Sequence, residues 1–428
     1  MELLCAADLH LGRQPSRVPA RLRGRLAEFG PAAAWRRLVE TALERRVSAV
    51  LLAGDVVDDE SDFYEAFADL RAGVERLLAA GIEVVAVAGN HDVAALPRLA
   101  RLLPGMKLLG QGGAWQATRL ATSDVSVNII GWSFPTTTVD VSPMGSLDLG
   151  QLSLAPGLTI GLLHADLDQA GGYAPVATAE LRAHPVAAWL LGHVHKPSAL
   201  NVQPIGYLGS LSAADPGEDG PRGAWSVRVG DGSLEFEHVC LTPLRFERVV
   251  VDVSGLTQPD ELDELMVGAI DATARGCIEA GAELQALGVR LELRGRTEFA
   301  SEIARRLAAS DPRTVVFDLS GVACFVHDVA MLVAPALDLE ALADGADPLA
   351  LAARTVIELR GPGSEERERL LSAAEAWMAE IGSHPTYRQL EPLELTQEAV
   401  ADLLEEAALR AIDLMLASRA ELADGGVA

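Results

Sequence analysis

The sequence predicts a layered α/β fold. Over the first 200 residues, short apolar runs alternate with longer segments whose apolar residues recur at helical spacing. Each apolar run ends in polar residues, which is typical of buried strands that deliver side chains to the carboxyl edge of a sheet. The chain has 49% hydrophobic and 22% charged residues, as core-forming globular proteins do. Its 428 residues allow two or three domains, at roughly 150 residues each.

Five apolar runs in this region are predicted strands: LLCAAD (3–8), AVLLAGD (49–55), VVAVAGNHD (84–92), IGLLHAD (160–166) and WLLGHVH (189–195). Between the second and the third run, a helix is predicted whose apolar stripe packs on the sheet or serves a dimer contact: Phe63, Phe67, Leu70, Val74, Leu77 and Leu78. From about Gly206 to Phe246, short β runs with Gly and Pro complete the sheet. These elements make up the predicted first domain, residues 1–246.

A second domain, residues 247–332, is predicted as a small α/β module. Its predicted elements are a strand at 248–255, a helix from Pro259 to Ala280, a strand at 289–295, a helix from Glu298 to Ala309 and a strand at 314–321. Residues 333–428 are predicted to be mostly helical, with a strand at TVIELRG (355–361). The final helix, about Gln397 to Ala420, carries a predicted apolar face of Val400, Leu404, Ala407, Ala411, Leu414 and Met415.

The formal net charge is -26, and the positive charge is almost entirely arginine, since only Lys107 and Lys196 are lysines. Such a surface repels polyanions as a whole. A nucleic-acid site on it must therefore be local, and an acidic protein without a polyanionic partner is the alternative.

Cysteine usage and hydropathy indicate a cytoplasmic protein without a membrane anchor. The four cysteines are scattered, with no CxxC pair, as expected of buried thiols in a reducing compartment: Cys5, Cys240, Cys277 and Cys324. The N-terminus carries Glu2 where a secretory signal would carry positive charge. No apolar run reaches the roughly 18 residues that a membrane span requires.

The polar residues at the strand ends share one chemistry. They are Asp8, His10, Asp55, Asn90, His91, His164, His193 and His195. Taken singly, each is explained as a polar residue that closes a strand, but five segments ending in the same residue types indicate a joint site. Carboxylate, imidazole and amide ligands without thiolates suit Mn, Fe or Zn. Because these ligands outnumber what one tetrahedral ion uses, the sequence predicts two metal ions that share a carboxylate and hydrolyse phosphoesters.

These residues stand in motifs that resemble those of the calcineurin-like metallophosphoesterases. The motifs are DLH (8–10), GD (54–55), GNHD (89–92), the solitary His164 and GHVH (192–195). The resemblance implies an α/β, four-layer fold with two central mixed β-sheets flanked by helices. It also implies a smaller α/β capping domain at 247–332 and a helical C-terminal segment at 333–428.

The resemblance also implies a role for each residue. Asp8, His10 and His195 would hold one metal ion, while Asn90, His164 and His193 would hold the other. Asp55 would bridge the two ions. His91 would protonate the leaving oxygen or stabilise the transition state, and the Asp58 carboxylate would orient His91.

Within this superfamily, the chain resembles the bacterial SbcD nuclease subunit, its meiotic-recombination relatives and the YhaO-like exonucleases. It lacks the arginine of the phosphatase motif GDxxDRG, and it shares YEAF (64–67), YAP (173–175) and YLGSL (207–211) with the nucleases. Some archaeal members carry histidine at the position of Asp58, so their detailed specificity is not transferred to this chain.

This branch implies a DNA exonuclease or endonuclease for DNA repair, dependent on Mn, with Fe or Zn as alternatives. It further implies a homodimer whose last helix docks on an SMC-like coiled-coil ABC ATPase, although packing of that helix on its own domain is an equal alternative. Candidate substrate contacts are Ser210 and the arginine segment, which we define as Arg13, Arg17, Arg21, Arg23 and Arg25. That segment is equally explained as a solvated loop. A phosphodiesterase of nucleotides or other small diesters, and an inactive scaffold, are the alternative functions.

Overall fold

The computed structural model describes residues 1–59, 63–169, 171–383 and 396–424. These residues fall into two compact units. The first unit comprises Met1–Asp252, Asp260–Leu293 and Arg305–Met331. The second unit comprises Val253–Pro259, Arg294–Ala304 and the described residues from Leu332 onward.

The strands, in chain order, are β1 (Glu2–Ala6), β2 (Ala49–Ala53), β3 (Glu83–Val87), β4 (Met106–Leu108), β5 (Gln116–Ala121), β6 (Ser126–Gly131), β7 (Leu158–His164), β8 (Ala188–Gly192), β9 (Ile205–Tyr207), β10 (Gly223–Val229), β11 (Leu234–Cys240), β12 (Leu244–Asp252), β13 (Ala286–Thr297), β14 (Val316–Leu319) and β15 (Val322–Pro335). The α-helices are α1 (Leu26–Phe29), α2 (Pro31–Arg45), α3 (Phe63–Ala79), α4 (Ala95–Leu102), α5 (Thr178–Arg182), α6 (Glu261–Glu279), α7 (Ala300–Ala309), α8 (Leu339–Ala343), α9 (Pro348–Arg360), α10 (Glu365–Ser383) and α11 (Gln397–Asp424).

Two mixed sheets form the centre of the first unit. One has the strand order β11-β10-β1-β2-β3-β4, in which β1 to β4 run parallel and β10 lies antiparallel to both of its neighbours. The other has the order β5-β6-β7-β8-β9, in which only the β5 and β6 pair is antiparallel. The predicted α/β class with two mixed sheets flanked by helices is thus confirmed.

The alternation of side chains along each strand builds the layers. On β1, Leu3 and Cys5 enter a core between the two sheets, where they join Ile129 of the second sheet. The intervening Leu4 faces the opposite side of the first sheet, in a core shared with Trp35 of α2. Every residue of β2 is buried, because helices cover one face of its sheet and the second sheet covers the other.

A four-stranded sheet of order β12-β13-β15-β14 follows in the chain. Phe246 of β12 and Phe325 of β15 meet edge to face, with ring centroids 6.3 Å apart. Their cluster also contains Val18, Leu22 and Phe29. Val18 and Leu22, which lie between these arginines in the sequence, therefore pack against this sheet. Ala20–Arg25 forms a 3-10 helix where the sequence predicted a loop.

In the second unit, α9 corrects one prediction. TVIELRG (355–361) was predicted as a strand, but these residues continue α9 and end it at Arg360. Leu349, Ala353 and Val356 lie at helical spacing and are buried against Ile412 of α11. Burial at this spacing outweighs the local strand preference of the β-branched residues.

Helix α11 packs within the second unit by part of its predicted face, since Leu404 and Met415 pack against buried residues of the unit. Val400 and Ile412 are buried, whereas Leu414, which was predicted on the apolar face, is 65% exposed. None of the helices within the described ranges combines the length and the apolar content that a membrane span requires.

Candidate metal centre

The carboxyl ends of five strands bring the predicted ligands together. The parallel strands β1, β2 and β3 end at one edge of the first sheet, and β7 and β8 end at the corresponding edge of the second. The segments that follow these ends carry Asp8 and His10 after β1, Asp55 after β2, Asn90 and His91 after β3, His164 as the last residue of β7, and His193 and His195 after β8.

One cluster of possible ligand atoms consists of Asp8, His10 and His195. One nitrogen or oxygen atom of each lies within 4.8 Å of the others. The Nε2 atoms of His10 and His195 are 3.1 Å apart. Two ring nitrogens that face each other at this distance need a shared proton or a metal ion between their lone pairs. This cluster therefore fits a divalent cation.

A second cluster joins Asp8, Asp55 and His164, again within 4.8 Å. His164 Nε2 lies 3.3 Å from Asp55 Oδ2 and 3.0 Å from Asn90 Oδ1. The same Asp55 oxygen lies 4.0 Å from His10 Nε2. Asp8 belongs to both clusters, and Asp55 of the second cluster also lies near His10 of the first, where a bridging carboxylate would be expected.

The electrostatics of these buried groups also favour a cation. Burial raises the pKa of Asp8, even though His164 acts to lower it. Burial would raise the pKa of Asp55 as well, but the charge and hydrogen bond of His164 outweigh it and hold that pKa below its ordinary value. Burial opposes protonation of His164, yet Asp55 and Asp8 raise its pKa to about 9. Two buried carboxylates that make a buried imidazole basic would stabilise a divalent ion in the same place.

Left-handed backbone geometry recurs at the ligands. Asp8, His10 and Asp55 have φ of 50°, 47° and 51°, and His193 has φ of 104°. This conformation is uncommon for residues other than glycine and clusters at functional sites. Two bonds between the β1 and β2 ends support it, from Asp8 N to Gly54 O at 3.1 Å and from His10 N to Asp55 O at 3.0 Å.

The glycines of the motifs leave room for the ligands. A Cβ on Gly54, whose φ is +88°, would lie 2.6 Å from His164 Nδ1. On Gly89 it would lie 2.2 Å from Asp55 Oδ1, and on Gly192 2.1 Å from Ala53 O. Each distance is below any normal contact, so the glycine that precedes a polar residue in GD, GN and GH is a spatial requirement of the centre.

His91 is exposed at the rim of the centre, with its ring edge to face with that of His10 at 5.0 Å. Its Nδ1 lies 2.8 Å from the backbone oxygen of Asp58, to which an Nδ1–H would donate. The Asp58 carboxylate instead lies 2.8 Å from His10 Nδ1. Asp58 thus reaches His91 through its main chain, whereas the sequence pointed to its side chain.

Two carboxylates to which the sequence alone gave no role contact the GHVH histidines. Glu218 Oε1 accepts from His195 Nδ1 at 2.7 Å, and its Oε2 accepts from Ala214 N at 2.9 Å. Asp166 Oδ1 lies 3.1 Å from His193 Nε2. The position of Asp166, two residues beyond His164, was the one signal that could have identified it.

Asp92 is a third carboxylate to which the sequence gave no role, and it is buried next to the centre. It accepts hydrogen bonds from Gly89 N and Val56 N, each at 2.7 Å, and so ties the β3 end to the β2 end. Burial raises the pKa of Asp92 to about 7. Its position directly after His91 in GNHD was visible in the sequence, but its partners were not.

The residues predicted to contact substrate lie at different distances from the metal centre. Arg13 lies near enough to the centre to help lower the pKa values of Asp58 and Glu218. Arg17 has the same effect on Asp215. Ser210 is buried, and its backbone N donates to His195 O at 2.9 Å.

The remaining members of the arginine segment, Arg21, Arg23 and Arg25, are exposed. Arg25 pairs with Glu28 at 2.7 Å. Arg13 lies beside a predicted ligand, since its backbone N donates to His10 O at 3.0 Å.

Two family profiles match parts of the chain. Residues 1–197 match the profile of the calcineurin-like phosphoesterases, and residues 246–329 match that of the middle domain of the metallophosphoesterase YhaO. An uncharacterized metallophosphoesterase YhaO of Bacillus subtilis is 26% identical over 275 residues, which cover 58% of this chain and 62% of the relative. The DNA double-strand break repair protein Mre11 of Haloferax volcanii is 28% identical over 258 residues, covering 58% of this chain and 54% of the relative.

Among solved structures, TT1561 of Thermus thermophilus is similar with 13% identity and a TM-score of 0.34, over 55% of this chain and 98% of that protein. The matches to the two curated relatives span less than two thirds of their lengths. The first matched family is one of phosphoesterases, and the ligand clusters could hold metal ions.

Proposed function

We propose that this protein is a calcineurin-like metallophosphoesterase that hydrolyses phosphodiester bonds in DNA and uses two divalent metal ions, preferably Mn. The observation that carries the proposal is the position of the Asp55 carboxylate between His164 Nε2, at 3.3 Å, and His10 Nε2, at 4.0 Å. Two ions held on either side of a shared carboxylate would activate a water molecule and stabilise the attacking and leaving oxygens.

The chain's own residues divide between the two ions. Asp8, His10 and His195 would hold the first ion, since their ligand atoms already cluster. His164, together with Asn90 and His193, would hold the second. The Asp55 oxygen would serve both.

His91 would then act on the leaving oxygen. Its Nδ1 lies 2.8 Å from the Asp58 carbonyl, which fixes the ring and leaves Nε2 as the atom available to substrate. The exposure of His91 permits that approach. A protonated Nε2 would donate its proton as the P–O bond breaks.

DNA is proposed as the substrate on two grounds. A relative named for DNA double-strand break repair is 28% identical over the matched region. A net charge of -26 requires a local cationic contact, and Arg13 stands beside the centre. A small phosphodiester substrate is the competing proposal, and retention of all the predicted ligands argues against an inactive scaffold.

Cleavage assays separate these functions. Labelled duplex and single-stranded DNA are incubated with the wild-type protein and Mn²⁺, and the His91→Ala variant serves as the control. We expect metal-dependent degradation by the wild type only. Rapid hydrolysis of bis(p-nitrophenyl) phosphate without DNA cleavage would establish the small-substrate alternative, and inactivity on both with metal bound would establish the scaffold.

We further propose an ATPase partner of the SMC-like coiled-coil class, docked on the exposed side of α11. Leu403 and Leu414 of that helix are 49% and 65% exposed. A neighbouring gene for a large coiled-coil ATPase would supply the partner. Co-purification with the wild type but not with a Leu403→Asp, Leu414→Asp variant is the expected result, and equal co-purification would refute docking on α11.

A homodimer is proposed through α3, where Tyr64 is 81% exposed. Light scattering of the purified chain is expected to give twice the mass of 45.1 kDa. A Tyr64→Glu variant is expected to be monomeric. A monomeric wild type would exclude the dimer.

A further inference from the structure

A separate carboxylate lies beside each histidine of GHVH, at opposite ring nitrogens: Glu218 is hydrogen-bonded to His195 Nδ1, and Asp166 Oδ1 lies at ion-pair distance from His193 Nε2. We infer that Glu218 and Asp166 are positioning residues that decide which nitrogen of His195 and of His193 faces the metals, and so assign these two side chains to different ions. This inference rests on the proposed two-metal centre, but it does not depend on the substrate.

Glu218 fixes the ring of His195. Its Oε1 lies 2.7 Å from His195 Nδ1, so a neutral imidazole keeps its proton on Nδ1 and presents the lone pair of Nε2. That Nε2 is the atom 3.1 Å from His10 Nε2. The carboxylate therefore selects the nitrogen that belongs to the first cluster.

Asp166 acts on His193 in the opposite sense. Its Oδ1 lies 3.1 Å from His193 Nε2, an ion-pair contact that places a carboxylate at this nitrogen, so Nδ1 is the ring nitrogen that we assign to a metal. The ring of His193 also stacks at a tilt on Tyr173, with centroids 4.9 Å apart, and it lies 5.2 Å from the ring of His164. These contacts place His193 beside the second cluster. Its proposed metal-binding atom is Nδ1, the ring nitrogen nearer to the backbone.

The use of different ring nitrogens by the two histidines explains how neighbouring residues bind different ions. Only Val194 separates the two histidines, so side chains that bound through the same nitrogen would place their metals at similar distances from the backbone of one turn. The use of Nδ1 by one ring and Nε2 by the other gives the two ligands different reach. The φ of 104° at His193 and the bonds from its N to both oxygens of Asp8, at 3.0 and 3.2 Å, fix where the turn begins.

Glu218 is anchored through its carboxylate and Asp166 through its backbone. Glu218 Oε2 accepts from Ala214 N at 2.9 Å, so both of its oxygens are engaged. The backbone of Asp166 donates to Tyr173 O and accepts from Val176 N, each at 2.8 Å. Such anchoring is what a residue needs in order to orient a metal ligand.

The chemistry of the amide suggests the first variant. Glutamine has one acceptor oxygen, whereas Glu218 accepts two hydrogen bonds. In Glu218→Gln, either Ala214 N loses its acceptor or the amide NH2 faces His195 Nδ1. The second arrangement makes Nδ1 an acceptor and places the ring proton on Nε2, where it blocks metal binding.

The test is a titration of the metal-free protein with Mn²⁺, followed by calorimetry and by Mn²⁺ electron paramagnetic resonance. The wild type is expected to bind two ions with the spectrum of a coupled pair. Glu218→Gln and Asp166→Ala are each expected to lower the affinity for one Mn²⁺ ion by roughly 10- to 100-fold and to leave the affinity for the other ion unchanged. Asp166→Asn, which keeps an acceptor oxygen, is expected to lose less affinity than Asp166→Ala.

Asp219→Asn is the matched control, because it removes one charge from the same exposed loop as Glu218. It is expected to bind both ions as the wild type does. If Glu218→Gln fails to fold by circular dichroism, Glu218→Asp replaces it: this variant keeps the charge but shortens the side chain, and it is expected to weaken the same ion.

The double variant Glu218→Gln, Asp166→Ala decides the assignment. Weak binding of both ions supports the inference, whereas one ion that remains tight would show that both carboxylates serve the same metal and would overturn it. Wild-type affinities in both single variants would also overturn it. A wild type that binds fewer than two ions would instead refute the two-metal centre, so the two failures are distinguishable.

Discussion

His10 and His195 lie 185 positions apart in the sequence, yet their Nε2 atoms are 3.1 Å apart in the fold. The two ring nitrogens meet because β1 ends in the first sheet and β8 in the second at a common edge. A cation between them is the simplest way to satisfy both lone pairs. The groups around this pair should therefore respond to mutation in distinct ways.

Replacement of His91 should separate chemistry from metal binding. We expect His91→Ala to slow phosphodiester hydrolysis by about 10²- to 10⁴-fold, the usual contribution of a positioned acid. His91 forms a further possible ligand cluster with His10 and Asp58, but it lies outside the two clusters that contain Asp8, so we expect two ions to remain bound. Single-turnover cleavage and elemental analysis measure the two effects, and loss of metal in parallel with activity would identify His91 as a ligand instead.

Gly192 should be intolerant of any side chain. The added Cβ in Gly192→Ala would lie 2.1 Å from Ala53 O and 2.7 Å from His164 Nδ1. We expect a loss of about 1–3 kcal/mol in the free energy of unfolding and weaker Mn²⁺ binding. Urea denaturation and metal titration are the measurements. Gly24→Ala is the control, since no atom lies within 4 Å of its added Cβ, and equal behaviour of the two variants would contradict this account.

Arg13 should contribute to DNA binding through phosphate. We expect Arg13→Ala to lower affinity for DNA of any sequence and to flatten the dependence of log K on log salt by roughly 0.7–0.9 for the lost contact. Fluorescence anisotropy at a series of salt concentrations measures the slope. Arg228→Ala, which removes an exposed arginine paired with Glu235 and Glu237, is the control. An unchanged slope in Arg13→Ala would show that this arginine only balances nearby acids.

His238 should make stability dependent on pH. Burial, and then the charge of Arg222, lower the pKa of His238. Its Nε2 has no hydrogen-bond partner among the described residues, and its ring lies 5.1 Å from that of Trp225. Below about pH 6.5 the unfolded chain gains a proton on this histidine that the folded chain does not accept. Stability that is present above that pH is therefore lost as the pH falls toward the folded-state pKa.

The variant His238→Phe removes that titration and keeps an aromatic ring beside Trp225. In the presence of a chelator, we expect the urea midpoint of the wild type to fall more between pH 7.5 and pH 5 than that of the variant. Parallel decreases in the two proteins would assign the acid sensitivity to other groups.

The sequence alone determined β1, β2, β3, β7 and β8 of the first unit and the side chains at their ends, whereas β4, β5 and β6 were not predicted. Buried parallel strands read as apolar runs such as AVLLAGD, and the polar residue after each run must lie at the carboxyl edge. Both features are local, so Asp55 and the other candidate ligands could be named from the residue pattern. The helical spacing of α3 was equally legible.

Only the tertiary structure decided the contacts across the centre. The Asp58 carboxylate meets His10 rather than His91, and Glu218 meets His195 from a separate loop. TVIELRG became helical because Val356 is buried against Ile412. Each outcome depends on a partner distant in sequence. For TVIELRG, the free energy of burial against that partner exceeds the local strand preference of the segment. The pattern of the chain therefore identified the metal ligands, and packing determined which atoms orient them.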